Sequence, residues 1–168
     1  MELQEFYDYK NRLMMDICSN EEVVKLVTGE PHPTMPAKEL PYVQVYPYQF
    51  IPETENNART FICFDVDILY KRQTNKTYYY PVIYIWIMGH KSKMKTNGKG
   101  VLIDAISCEI DKMLNGNRNY GHGELELGPV ERFIPTIDYL GREMVYYTRD
   151  FNRSPGQKPT PAYRKQGA

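Results

Sequence analysis

The stretch from Ile103 to Asn152 constrains the fold more than any other. It opens as I-D-A-I-S-C-E-I-D-K-M-L, with apolar side chains at offsets of three and four, the spacing that gathers them on one face of a helix. It continues through L-N-G-N-R-N-Y-G-H-G, whose three glycines interrupt any regular element. The remainder, from E-L-E-L to R-D-F-N, carries the short apolar and aromatic runs of strands. A helical period followed by strand periods, without β–α–β alternation, specifies an α+β domain with an aromatic-rich antiparallel sheet. The same block offers no set of residues that a reaction would need.

The rest of the chain fits that class. Residues 3–17 place Leu3, Phe6, Tyr7, Leu13, Met14 and Ile17 at helical spacings. Ser19 and Asn20 are N-cap candidates for a second short helix, E-E-V-V-K-L-V, with Ser19 and Glu22 spaced as a capping box and Gly29 as its stop. Four prolines between Glu30 and Pro41 predict an extended connector. Sheet is expected from Tyr42, where Pro47 suits an edge strand. Thr60–Tyr70 alternates Ile62, Phe64, Val66 and Ile68 against Phe61, Cys63, Asp65 and Asp67, and Tyr78–Met88 is apolar on both faces, as a central strand is. The polar loop K-R-Q-T-N-K-T predicts that these two form a hairpin. A helix is expected over Val101–Leu114, striped by Leu102, Ile103, Ile106, Ile110, Met113 and Leu114, and a second hairpin over about Glu124–Ile134 and Tyr139–Phe151. The prediction is an antiparallel β-sheet with N-terminal helices and one central helix packed against it. It forms a single domain over 1–152: a helical N-terminus at 1–29, the connector at 30–41, and sheet plus helix at 42–152. Residues 153–168 are a basic, proline-containing tail with three prolines, four basic residues and no acid, a composition that cannot build a core alone. Trp86, on the doubly apolar strand, is expected to be mostly buried against one of the helices.

Composition narrows the function. The chain of 168 residues has 21 basic and 21 acidic side chains, hence no formal net charge, which argues against a coat for nucleic acid. A domain this size buries roughly 70% of its unfolded surface and needs no staples. Cys18, Cys63 and Cys108 are far apart, odd in number and without a C-x-x-C pair, the pattern of reduced half-buried thiols. The acidic amphipathic start is unlike a signal peptide, and Tyr80–Met88 is too short to span a membrane. A reducing cytoplasm is the expected compartment.

Candidate chemistry is sparse. Asp65 and Asp67 share a strand face and are the residues a metal-dependent nuclease would use, but the further acid and lysine such a site needs are not spaced beside them. His32, His90 and His122 fall in a connector, a lysine loop and a glycine turn, without metal-ligand spacing. Cys108 is mid-helix, and no G-x-S-x-G occurs. Asn97-Gly98-Lys99-Gly100 precedes a helix beside Lys91, Lys93 and Lys95, yet lacks the Walker pattern. No cofactor and no catalytic residue is expected. Fifteen tyrosines, many on strands, exceed what one helical layer can cover, and leftover aromatic surface is what protein interfaces use.

Two segments carry a resemblance. F-I-P-E-T-E-N-N-A-R-T-F-I-C-F-D-V-D-I (Phe50–Ile68) and L-N-G-N-R-N-Y-G-H-G-E-L-E-L (Leu114–Leu127), with R-D-F-N ending at Asn152, resemble the small head–tail joining proteins of long-tailed phages. Among these the chain looks most like the tail terminator, or tail-completion (neck) subunit, whose relatives cap contractile phage-tail-like particles. The resemblance covers most of residues 1–152 and excludes the tail. It implies a non-enzymatic α+β subunit forming a ring, typically a hexamer, on the head-proximal end of the tail tube. The implied partners are its own copies, the tail-tube protein, and a sheath or head–tail connector, in a virion or tail-like particle assembled in the host cytoplasm. Neither a membrane nor sequence-specific nucleic acid is implied. Another head–tail connector or tube-associated protein is the structural alternative. The candidate interface residues are Lys91, Lys93, Lys95, Arg149, Arg153 and Tyr163.

Overall fold

The computed structural model describes residues 3–29, 39–52, 58–69, 78–96 and 100–151. Helix α1 (Leu3–Ser19) buries Tyr9, Leu13 and Ile17, one residue per turn along a single face. Ser19 completes this helix rather than capping the next, because its hydroxyl donates back to the Met15 carbonyl at 2.7 Å. Asn20 is the cap of α2 (Glu21–Thr28), its side-chain oxygen accepting from the N–H groups of Glu22 and Val23 at 3.1 Å each. The expected Ser19–Glu22 box is therefore displaced by one residue, and Glu22 pairs instead with Lys25 at 2.7 Å. Gly29 ends α2 at φ 74°, the left-handed conformation that only glycine adopts without strain.

The edge strand expected from Tyr42 is much shorter. The Leu40 carbonyl accepts from the N–H groups of Val43, Gln44 and Val45, so the chain turns there, and β1 comprises only Val45–Tyr46 before Pro47. Strand β1 runs parallel to β2 (Thr60–Leu69), the exception in an otherwise antiparallel sheet. Buried Gln44 fastens this corner, its amide donating to the carbonyls of Val27 at 3.1 Å and Thr60 at 3.0 Å.

Strand β3 (Tyr78–His90) is central, as its two apolar faces predict. Helix α3 (Leu102–Leu114) follows, then β4 (Glu126–Thr136), β5 (Tyr139–Tyr147) and β6 (Asp150–Phe151). The sheet order is β1-β2-β3-β5-β4, with β6 also on β3. The expected strand Tyr139–Phe151 is broken at Thr148 and Arg149. Both halves keep one register along β3, with Val82 opposite Tyr147 and Tyr79 opposite Asp150. The gap lies opposite Pro81, which has no N–H to give; Thr148 still donates to its carbonyl at 3.2 Å. The Arg149 carbonyl accepts from His122 at 2.9 Å and Gly123 at 3.3 Å, fixing the glycine-rich turn.

The helices occupy one face of the sheet. There Ile62, Phe64 and Val66 join Ile83, Ile85, Ile87, Met144 and Tyr146 in a core with α1, α2 and α3. The opposite face carries a smaller cluster of Phe61, Cys63, Met88 and Tyr139, to which Tyr46, Phe50, Trp86 and Phe133 add partly buried rings; among the described residues no helix contributes to it. Trp86 thus lies on the face away from the helices, half-buried, stacked on Tyr84 at 5.7 Å and 7°. The expectation that a helix covers it is wrong, because the branched aliphatics Ile83, Ile85 and Ile87 hold the alternate positions and take the helical side.

Candidate functional site

The two carboxylates a metal site would require are not both available. Lys10 of α1 reaches round the sheet edge to Asp65 at 2.5 Å, while also donating to the Pro47 carbonyl at 3.3 Å. Asp65 further accepts from the Val66 N–H at 2.8 Å. Asp67 is exposed. Among the described residues no group of three or more His, Cys, Asp or Glu side chains is placed to hold a metal ion. His90 and His122 lie at opposite ends of the sheet: the ring of His90 meets Tyr139 edge-on at 5.3 Å, while His122 sits in the turn against Arg149. His32 lies outside the described residues.

The candidate interface residues among the described ones do not all converge. Lys91, Lys93 and Lys95 are exposed beyond the end of β3. Lys91 is anchored there, its N–H donating to the Asp138 carbonyl at 2.9 Å and its ammonium to the Ile137 carbonyl. Lys93 and Lys95 face Lys25, Thr28 and Arg59 across a shallow cleft of about 610 Å³. Arg149 is at the other end of the sheet, in a cleft of about 660 Å³ with Tyr80, Arg118, Glu124 and Tyr147. Arg153 and Tyr163 lie outside the described residues.

Two buried tyrosines tie the helices to the glycine-rich turn and to β5. Tyr120, fully buried, donates to Asp16 of α1, and the Arg12 guanidinium lies 5.9 Å from its ring centre. Tyr146 donates to Asp111 of α3 at 3.1 Å. Burial, and then the neighbouring carboxylate, push both phenols above their ordinary range. These contacts pin the turn and β5 to the helices.

The surface that stands out is the far edge of the sheet. Among the described residues strand β4 pairs with β5 alone, and Leu127, Val130 and Ile134 along it, with Ile137 in the following turn, are all exposed, Ile137 to 77%. Register shifts fall between Leu127 and Val130 and between Phe133 and Thr136, each bracketing a proline, Pro129 or Pro135. Prolines and bulges blunt an edge against indiscriminate strand pairing, so this edge presents side chains more than backbone. The pairing also sets like against like, Glu131 opposite Glu143 and Arg132 opposite Arg142. Directly opposed like charges cost about 0.2–1 kcal/mol. Arg142 is relieved by Asp104 of α3, its Nε at 3.1 Å, but no cation among the described residues pairs with Glu131 or Glu143. Sequence reasoning missed both features, since exposure of β4 and the opposition of charges appear only once the register is known.

Neither the curated proteins nor the solved structures include a match to this chain. The model of the family described as YomW matches residues 20–148, from the cap of α2 through β5 and so the whole sheet but β6. The chain belongs to the YomW family, which is phage-associated.

Proposed function

We propose that this chain is a non-enzymatic structural subunit of a phage or phage-tail-like particle, a tail terminator whose copies form a ring on the head-proximal end of the tail tube. The observation that carries the reading is the β4 edge, where Leu127, Val130, Ile134 and Ile137 stay exposed in the single chain. Exposed apolar side chains gathered along one strand edge suit an association site, and a neutral chain offers little repulsion between copies. A phage-associated family and an α+β fold whose β4 has one strand neighbour among the described residues are consistent with a head–tail subunit. The ring is a hexamer in this reading, its partners are the tail-tube protein and a sheath or connector, and it resides in the assembled particle. No observation favours the nuclease reading, since Lys10 holds one of its two carboxylates.

The test is the mass of the purified chain by light scattering and native mass spectrometry, beside the variant Ile134→Lys/Ile137→Lys. The native chain should give a closed ring visible by negative stain, and the variant single folded subunits with an unchanged circular dichroism spectrum. Rings added to growing tail tubes should arrest them at one end. A native chain that stays monomeric at every concentration and leaves tube growth untouched would overturn the reading.

A further inference from the structure

We propose that the helix-free face of the sheet is the docking surface for the chain's own C-terminal segment, residues 152–168. This goes beyond the ring reading and does not depend on it. On that face Tyr84 and Trp86 stack in the middle of β3, both half-buried. Carboxylates flank them on two sides. Asp67 lies toward β2, opposite Val82; Glu143 of β5 is directly opposite Trp86, and Glu131 of β4 is opposite Glu143. Burial first, then Asp67 and Glu143 among its neighbours, push the Tyr84 hydroxyl upward, which places both acids within electrostatic reach of the ring. Among the described residues none of these three acids has an ion-pair partner, in contrast to Asp65 beside them, which has Lys10.

The complementary chemistry is in the same chain. The segment N-R-S-P-G-Q-K-P-T-P-A-Y-R-K-Q-G-A has four basic residues, no acid and prolines at 155, 159 and 161. Proline-rich segments take an extended conformation at low entropic cost and are recognised by aromatic grooves, with charge at the rim setting orientation. Stacked rings with an acidic rim suit a basic segment of this type. The distances allow it. Strand β6 ends at Phe151, opposite Tyr78, and Trp86 lies eight residues further along β3, about 26 Å at the rise of a strand. The 17 residues that follow Phe151 span about 50 Å when extended. The segment is therefore long enough to double back over its own sheet.

Trp86 is the sole tryptophan and reports on this face directly. The experiment compares its emission maximum and acrylamide quenching in the full chain, in Arg153→Gln/Lys158→Gln/Arg164→Gln/Lys165→Gln, and in Glu131→Gln/Glu143→Gln. The acidic variant removes a like-charge opposition and should keep the fold, as circular dichroism checks. Docking predicts a red shift and stronger quenching in either variant, no further change when both are combined, and the same change in the native chain on adding salt. Quenching that is equal in all variants overturns the proposal. Equal and high means an unoccupied face; equal and low, with dependence on concentration, means that a second copy's surface covers it instead.

Discussion

Cys63 is fully buried, its thiol 3.9 Å from the Phe50 carbonyl that it faces, and Cys18 is nearly so beside the Met14 sulfur. Burial pushes the Cys18 thiol up to about 11 and the Cys63 thiol up to about 12, from an ordinary 9.0. The unfolded chain therefore releases these protons at lower pH than the folded one. Their contribution to stability is complete below pH 9 and is lost as pH climbs from there toward the folded values. The buried phenols of Tyr120 and Tyr146 are shifted in the same direction and add to the loss. Thermal melts should accordingly hold steady to about pH 9 and fall steeply above it, with a shallower fall in Cys63→Ala. Cys108 is exposed, so Ellman's reagent should titrate one thiol in the folded chain and all three after denaturation. Two or more reactive thiols in the folded state would contradict this packing.

Strands β4 and β5 are joined by a ring over a missing side chain. A Cβ on Gly141 would meet the Phe133 ring at 2.4 Å and the Ile87 carbonyl at 2.9 Å, so the aromatic occupies the space glycine leaves, a device that fixes register. Gly141→Ala should cost about 1–3 kcal/mol by overpacking. Phe133→Ala frees most of that space, so the double variant should be less destabilised than the two single costs added, as a chemical-denaturation cycle can measure. Additive costs would mean that the ring is not what confines this position. Elements with a sustained period were legible from sequence: β2, β3 and α3 follow their apolar stripes within a residue or two. The failures have local causes. Ser19 and Asn20 are both good caps, and only the return bond from Ser19 to Met15 separates them. The strand expected from Tyr42 lost its first residues to a turn closed on one carbonyl, that of Leu40. The wrong side for Trp86 was avoidable, because Ile83, Ile85 and Ile87 share the parity that Trp86 lacks, and branched aliphatics pack under helices better than a stacked ring pair. The β4 edge and its opposed charges were not legible, since alternation within one strand says nothing about what lies across from it.

At the scale of the whole molecule, the N-terminal and C-terminal parts of the chain take separate sides of the sheet, β1–β3 on one and β5–β4 on the other. Residues up to Thr96 supply α1, α2 and β1–β3, and those from Gly100 onward supply α3 and β4–β6. Each half contains its own hairpin, and the halves meet along the β3–β5 seam, from Val82 opposite Tyr147 to His90 opposite Tyr139, and where α2 packs on α3. Crossing the divide in the chain are the hydrogen bond from Leu102 to the Met94 carbonyl at 2.8 Å and the bridge between Lys95 and Val101. Lys93 and Lys95 next to it are exposed, the kind of site where cleavage and insertion are tolerated. The chain should therefore survive being made as two polypeptides divided between residues 97 and 99. Co-expressed, the fragments should co-purify one to one and recover the native circular dichroism spectrum, while each alone should aggregate through its bared side of the seam. A backbone hydrogen bond along β3–β5 then serves as the joint of a two-piece protein, and whatever is fused at that divide can be brought together only when the sheet closes.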